Sequence, residues 1–122
     1  MSGINIQLPH TFFFRNLELS PVVIRLMYIS QLYTACIYEL IGRTSAQGIF
    51  RTHLFLSEGN ITYKVIDGIG MSGITFYKDS NYVYAAISQY CSCTIQCIGT
   101  SDMTIIRNPK LVDIDINSLR LI

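Results

Sequence analysis

The sequence predicts an all-β fold, a β-sandwich or jelly-roll-like domain of antiparallel sheets. Two observations lead to this prediction. Apolar and polar residues alternate along several short runs, and this period of two places one face of a strand in a core. Turn residues then interrupt the runs at short intervals, as they do in sandwiches and jelly rolls. Half of the 122 residues are apolar, which suits one hydrophobic core, so residues 1–122 are expected to form a single domain.

In the first half of the chain, residues 12–14 and 49–56 are strand candidates because aromatic and β-branched residues favour strands. Residues 22–41 contain no Gly or Pro and allow two interpretations. In the first interpretation, two strands form a hairpin that turns near Ser30 and Gln31. Tyr28, Tyr33 and Ile37 favour this interpretation. One helix packed on a sheet, which would make the domain α+β, is the other.

In the second half, residues 61–66, 74–77 and 103–107 are short strand candidates, and residues 112–116 alternate in the same way. The clearest alternation runs from residue 82 to residue 97, with a break near residues 88–90 that predicts two strands. One face of this pair is the predicted core, made of Val83, Ala85, Ile87, Cys91, Cys93 and Ile95. The other face is expected to be exposed and carries tyrosine, serine and threonine.

Turns are predicted where Gly, Asn, Asp and Ser cluster, since these residues tolerate turn conformations or bond to their own backbone. The predicted turns are residues 42–45, 57–60, 67–68, 79–81, 99–102 and 108–109.

One motif has the letters of a dinucleotide-binding loop. Residues 68–73 read Gly-Ile-Gly-Met-Ser-Gly, which matches G-x-G-x-x-G. That motif needs a helix directly after it and an acidic residue about 20 positions on. Here β-branched and aromatic residues follow, and then a turn. The sequence therefore predicts a glycine-rich connection between two strands and no nucleotide cofactor.

Residues that could bind a metal or catalyse a reaction are few. Cys91, Cys93 and Cys97 share one strand face, but their spacing differs from the Cys-x-x-Cys pairs of zinc sites, so they are expected to be core packing. Asp113 and Asp115 point the same way and could chelate a cation or act as an acid pair. Solvated charges that protect a strand edge are the favoured interpretation. With two histidines and no nucleophile–base pattern, we expect no metal, no cofactor and no enzymatic activity.

Charge argues against two classes of partner. The net charge is +1, and the nine Lys and Arg residues are scattered, so no basic patch for nucleic acid is expected. Residues 22–41 are long enough to span a membrane, but Arg25, Gln31 and Glu39 would be costly there. No signal peptide is recognised, so the cysteines are expected to stay reduced. Because only 14% of residues are charged, partner chains are expected to cover part of the surface.

Tyrosine is unusually frequent, with eight residues and no Trp. Tyr82, Tyr84 and Tyr90 fall on the face predicted to be exposed. A rigid aromatic ring with a hydroxyl group suits subunit contacts or stacking on a sugar. Cross-strand packing that stabilises the sheet is a third possibility. The sequence leaves all three open.

Several pieces between residues 25 and 98 resemble the C-terminal β-sandwich domains of bacteriophage tail fibres and related receptor-binding proteins. The pieces are Cys-Ile-Tyr-Glu-Leu-Ile-Gly-Arg at 36–43, Gly-Ile-Phe-Arg-Thr-His at 48–53, Ile-Thr-Phe-Tyr-Lys-Asp at 74–79, Asn-Tyr-Val-Tyr at 81–84 and Gln-Tyr-Cys-Ser-Cys-Thr-Ile at 89–95. The pattern is loose and defines no catalytic residue.

The resemblance implies a non-enzymatic virion protein, assembled in the host cytoplasm, that attaches to a host surface glycan. It also implies contacts with other virion proteins and a homo-oligomer, with a trimer favoured. The candidate receptor or subunit contacts are Tyr82, Tyr84, Tyr90, Arg43 and Arg51. The competing hypothesis is an intracellular α+β interaction module without catalytic activity.

Overall fold

The computed structural model describes residues 3–8, 11–29, 35–44, 48–57, 60–68, 73–101 and 108–122. These residues contain strands and one short 3-10 turn at Ile116–Ser118, and they contain no α-helix. No helix among them could cross a membrane. The strands are β1 (Gly3–Leu8), β2 (Thr11–Asn16), β3 (Val22–Tyr28), β4 (Ala35–Thr44), β5 (Gly48–Ser57), β6 (Asn60–Gly68), β7 (Ile74–Lys78), β8 (Tyr82–Ile87), β9 (Ser92–Thr100), β10 (Lys110–Val112) and β11 (Arg120–Leu121).

The strands form two antiparallel sheets. The six-stranded sheet has the order β1-β2-β9-β4-β5-β6, and the five-stranded sheet has the order β10-β3-β8-β7-β11. The prediction of an all-β fold is confirmed, and the alternative of a helix at residues 22–41 is wrong because that region forms β3 and β4. These two strands lie in different sheets, so they are not the hairpin that the sequence suggested. The turn expected at Ser30 and Gln31 lies outside the described residues.

One hydrophobic core joins the two sheets. Phe14, Leu40 and Phe50 of the six-stranded sheet belong to the same buried cluster as Ile24 and Phe76 of the five-stranded sheet. The predicted core face is confirmed, since each of its six residues is at most 1% exposed: Val83, Ala85, Ile87, Cys91, Cys93 and Ile95. The break near residues 88–90 is also confirmed. Because β8 and β9 belong to different sheets, the chain passes from one layer of the sandwich to the other at this break.

The cysteines are free thiols packed in or against the core. Burial raises the pKa of Cys36 to about 12, with a contribution from Cys97, and raises the pKa of Cys91 to about 11. Since thiolates are the reactive form of cysteine, these two thiols are unreactive near neutral pH. The interpretation of the cysteines as core packing is therefore confirmed for Cys91 and Cys93, while Cys97 is only partly buried.

Three predicted turns begin inside strands, because these strands run further than expected. β4 ends at Thr44, β6 at Gly68 and β9 at Thr100, so residues 42–44, 67–68 and 99–100 belong to strands. Residues 45 and 102 lie outside the described residues. Position 42 of β4 requires a glycine, because a Cβ there would collide with the carbonyl oxygen of Ser92 on β9. The glycine-rich motif connects strand β6 to strand β7, as predicted. Its residues 69–72 lie outside the described part of the chain.

The end of the chain departs from its predicted strand. The alternation at residues 112–116 indicated a strand, but β10 ends at Val112 and a 3-10 turn follows. β10 pairs with β3 and β11 pairs with β7, so residues 113–119 connect opposite edges of the five-stranded sheet. Asp113 and Asp115 are exposed, and the Asp115 carboxylate accepts a hydrogen bond from the backbone N–H of Asn117. The strand candidate at residues 103–107 lies outside the described residues.

The assignment of the core face can be tested at Ile87, which is fully buried on β8. We expect Ile87→Ala to lower the free energy of unfolding by about 2–4 kcal/mol, because the truncation leaves a cavity. Urea denaturation measures the change. Thr75→Ala, at an exposed position of the neighbouring strand β7, is the control and should change stability by less than about 0.5 kcal/mol. Equal effects of the two substitutions would contradict the assignment.

Candidate functional site

The five contact residues predicted from the sequence lie in three places. Tyr82 and Tyr84 lie on β8 of the five-stranded sheet, and Arg51 lies on β5 of the six-stranded sheet. Arg43 on β4 and Tyr90, in the turn before β9, line one surface depression. The structure therefore brings Arg43 and Tyr90 together in the depression, while Tyr82, Tyr84 and Arg51 do not line it.

Tyr84 is buried rather than exposed, so this part of the sequence prediction is wrong. It is 4% exposed, and its hydroxyl group donates a 2.6 Å hydrogen bond to the Asp79 carboxylate. Burial, together with this charged acceptor, raises the pKa of Tyr84 to about 12. Burial also acts to raise the pKa of Asp79, but its hydrogen bonds from Tyr84 and from backbone N–H groups outweigh it and hold that pKa below its usual value. Tyr84 thus supports the turn between β7 and β8.

Tyr82 is half-buried in a cluster of side chains from β3 and β8. Its ring centroid lies 5.3 Å from that of Tyr28 and 6.4 Å from that of Tyr84. The Arg25 guanidinium carbon lies 4.4 Å from the centre of the Tyr82 ring, a cation–π contact. These are the contacts expected of tyrosines that stabilise a sheet by cross-strand packing.

The depression lies on the outer face of the six-stranded sheet. Arg15 on β2 is opposite Ser92 on β9, and Ser92 is also opposite Arg43 on β4. Side chains at such paired positions point to the same face. With Phe13 and Tyr90, these three residues line a space of about 410 Å³, which we call the Arg15–Arg43 depression.

Tyr90 has an unusual backbone conformation in this depression. Its φ angle is 61°, in the left-handed region that costs a residue with a side chain about 1–2 kcal/mol. Its backbone N–H donates a 2.7 Å hydrogen bond to the carbonyl oxygen of Asn16. The side chain is 55% exposed. The turn therefore holds a large aromatic side chain at the surface in a conformation that would suit glycine better.

Asn16 is fully buried and holds this turn in place. Its side-chain amide group donates to the carbonyl oxygens of Ile87, at 2.8 Å, and Ser20, at 3.1 Å. Its side-chain oxygen accepts a 2.8 Å bond from the backbone N–H of Glu18. Its backbone N–H donates to the carbonyl oxygen of Cys91. These bonds connect the end of β2 to both ends of the β8–β9 connection, so the position of Tyr90 is fixed relative to Arg15.

The two arginines of the depression differ from Arg51 in their charge environment. Arg51 Nε lies 2.9 Å from Glu39 Oε2, and His53 Nε2 lies 3.0 Å from the same oxygen. Among the described side chains, no carboxylate forms an ion pair with Arg15 or Arg43. Within the described part of the chain, the depression therefore presents two guanidinium groups that have no carboxylate partner.

Glu39 is a buried carboxylate on the outer face of the same sheet. The hydrogen bond with His53 is the strongest influence lowering its pKa; burial opposes this effect, while the hydrogen bond and charge of Arg51 and a bond from Gln96 add to it. The net result is a pKa below the usual value of a glutamate. A carboxyl group with a lowered pKa is ionised at neutral pH and is a poor proton donor. Glu39 is therefore suited to holding Arg51 and His53 in place.

Arg15, Ser92 and Asn16 were not predicted from the sequence as parts of this site. Arg15 and Arg43 are 28 positions apart in the chain, and only the order β2-β9-β4 makes them neighbours across Ser92. The described residues contain no group of His, Cys, Asp and Glu side chains that could hold a metal ion.

Comparisons with known proteins give little more. No family model matches the chain, and no curated protein matches it. Among solved structures, the chain is similar to a tailspike protein of the Acinetobacter baumannii bacteriophage Fri1, a capsular polysaccharide depolymerase, with a TM-score of 0.49 and 13% sequence identity. The similar region covers 91% of this chain and 21% of the tailspike, so this chain spans about a fifth of that protein. The similarity is loose.

The lowered pKa of Glu39 predicts a loss of stability in acid. A carboxyl group whose pKa is lower in the folded than in the unfolded state stabilises the fold above its unfolded pKa, near 4.5, and this contribution disappears as the pH falls through the folded pKa. We expect the urea midpoint to fall between pH 6 and pH 3, and to fall less in Glu39→Gln. Asp113→Asn, which removes an exposed carboxylate, is the control and should follow the native protein. A parallel pH dependence in Glu39→Gln would contradict the assignment.

Proposed function

We propose that the chain is a non-enzymatic virion attachment domain of the phage tail-fibre type, and that it binds a host surface glycan in the Arg15–Arg43 depression. The observation that carries this proposal is Tyr90. Its ring is more than half exposed, in a backbone conformation that is unfavourable for tyrosine, beside two arginines. Strained residues that the surrounding structure holds in place are concentrated at functional sites.

The geometry of the depression suits a sugar ring. A saccharide has an apolar face that packs on an aromatic ring and an edge of polar groups that needs hydrogen-bond donors. Tyr90 supplies the ring, while Arg15, Arg43 and Ser92 supply donors on the same face of the sheet. The site is placed on a rigid scaffold, because three paired strands and the bonds of Asn16 hold its members.

The association with a virion rests on the sequence resemblance to tail-fibre domains, whose implied β-sandwich agrees with the two-sheet fold. A fold by itself does not determine function, so the site carries the proposal of glycan binding. In this proposal the chain is made in the host cytoplasm and assembles there with other virion proteins. Binding needs no catalytic group, and the ionised state of Glu39 supports a structural role for this carboxylate.

We also propose that the chain is a homo-oligomer, with a trimer favoured by the resemblance. β6 is an edge strand of the six-stranded sheet, and Tyr63, Val65 and Ile66 on it are exposed. An edge strand has unpaired backbone groups that can bond to another chain. The structure buries Tyr84, so the exposed side chains of β6 replace it as the proposed subunit contact.

The role of Tyr90 in glycan binding is tested by Tyr90→Gly. Glycine adopts a φ of 61° without strain, so we expect the midpoint of thermal unfolding to stay the same or rise. Binding to host cells should fall at least about tenfold. The loss of a stacking ring at the centre of a binding site costs roughly 1.4 kcal/mol or more, and this energy corresponds to a tenfold change in affinity. Flow cytometry with labelled protein measures binding.

Leu121→Gly is the control, since it removes a large exposed side chain from β11, away from the depression and from β6. It should leave cell binding unchanged. Full cell binding by Tyr90→Gly, or no binding by the native protein to any host cell, would overturn the proposed function.

The oligomer is tested by light scattering on the native protein and on Ile66→Lys. We expect the native mass to be a multiple of 13.8 kDa and the variant to have a lower mass, because a charge on the edge strand opposes pairing. Leu121→Lys, at an exposed position on β11, should keep the native mass. A native protein that remains at 13.8 kDa at micromolar concentrations would contradict the proposal.

A further inference from the structure

We infer that the Arg15–Arg43 depression recognises an acidic sugar, with the two guanidinium groups binding the carboxylate of a uronic acid or similar residue and Tyr90 packing on the ring. This inference rests on the proposed glycan-binding function and specifies the chemical class of the glycan.

The strand register allows both guanidinium groups to reach one bound group. Neighbouring strands lie about 4.8 Å apart, so Arg15 and Arg43 extend from backbone positions roughly 10 Å apart, on either side of Ser92. Arginine side chains are long enough to converge above the small serine side chain between them. A carboxylate has two oxygens with several lone pairs, and planar guanidinium groups bond to it in pairs. The Ser92 hydroxyl group, at the floor of the same row, can donate a further hydrogen bond.

The charges on this face favour an anionic ligand. Arg51 and His53 already contact the Glu39 carboxylate, whereas Arg15 and Arg43 contact no carboxylate among the described side chains. The two pairs of residues lie on the same face of the six-stranded sheet. Within the described residues, two guanidinium groups without a carboxylate partner therefore lie together at the depression. A neutral sugar would not neutralise this positive charge, whereas an anionic group would.

The Tyr90 ring favours a saccharide over other anions. The exposed Tyr90 ring stands beside the arginines, so the bound group needs an apolar face next to its negative charge. The space of about 410 Å³ falls in the range of small-ligand sites, roughly 300–1,000 Å³. A pyranose ring bearing a carboxylate has this combination of features. An inorganic anion would fill only the part of the depression near the guanidinium groups.

The experiment compares three uronic acid polymers, polygalacturonate, alginate and hyaluronan, with their carboxyl-reduced forms. Reduction converts each carboxylate to a neutral alcohol and keeps the sugar ring. Biolayer interferometry at about 150 mM salt, where weak surface attraction is largely screened, measures binding of the native protein. We expect at least one acidic polymer to bind about tenfold or more tightly than its reduced form, because reduction removes the charged acceptor of the arginine hydrogen bonds.

The same measurement is made on Arg15→Gln and Arg43→Gln, and each should weaken binding of that acidic polymer about tenfold. Lys110→Gln is the matched control, because it removes one exposed positive charge from β10, in the five-stranded sheet and away from β6. It should bind as the native protein does. Dextran sulfate is included as an anion without carboxylates, and we expect it to bind more weakly than the acidic polymer.

Three outcomes would overturn the inference: no preference for any acidic polymer over its reduced form, an equal loss of binding in Lys110→Gln, or dextran sulfate binding at least as tightly as the acidic polymers. The proposed function has a separate readout. If Tyr90→Gly still abolishes binding to host cells while acidic polymers are not preferred, the glycan is neutral and only the inference fails. If native protein binds neither cells nor polymers, both fail.

Discussion

The arrangement of the site depends on the hydrogen bonds of the buried Asn16 side chain. Asn16 lies at the end of β2 in the six-stranded sheet and donates a hydrogen bond to the carbonyl oxygen of Ile87, the last residue of β8 in the five-stranded sheet. A buried amide group that loses its partners is costly, so this bond specifies one relative position of the two strand ends. Because Asn16 also bonds to the backbone of Glu18, Ser20, Tyr90 and Cys91, it fixes both connections that leave these strands.

The site follows from this constraint in two steps. The chain must pass from β8 in one sheet to β9 in the other within four residues, 88–91, and the left-handed conformation of Tyr90 makes that reversal possible. The conformation directs the Tyr90 side chain outward, beside the residue that precedes Asn16, which is Arg15. The register of β2, β9 and β4 then places Ser92 opposite Arg15, and Arg43 opposite Ser92. A close approach of β9 to Gly42 keeps the row compact, since any side chain there would meet the carbonyl oxygen of Ser92.

Period-two alternation was enough to predict the all-β fold and the core face of β8 and β9, because burial between two sheets acts on every second residue. It could not predict which sheet each strand joins. Successive strands such as β3 and β4, or β8 and β9, would look the same in sequence whether they paired or separated. Tyr84 shows a second limit. The pattern placed it outside, but its hydroxyl group has a charged acceptor in Asp79, and a satisfied polar group can be buried at small cost. Strand β1 was not predicted at all.

The candidate site was predicted only in part for a related reason. Arg43 and Tyr90 were identified, but their relation to Arg15 and Asn16 depends on pairing between segments far apart in the chain. The strand register also determines which of the three arginines on the outer face contacts the Glu39 carboxylate. Glu39 lies opposite Gln96 and His53 across β9, β4 and β5, and it accepts hydrogen bonds from both and from Arg51.

Arg43 is on the same strand as Glu39, four residues further on, and lies at the end of the sheet where Tyr90 projects. Side chains alternate along a strand, so residues four apart share a face but are separated by about 13 Å. At that separation, surface charges interact weakly in salt, and Glu39 does not neutralise Arg43. Among the described residues, this sheet face therefore contains a charge cluster around Glu39 in its middle and, at its end, two arginines without a carboxylate partner. The two arginines lie beside the strained turn, where the chain already holds an aromatic ring in solvent. The coincidence of these two unfavourable features at one place is the reason for proposing a binding site there.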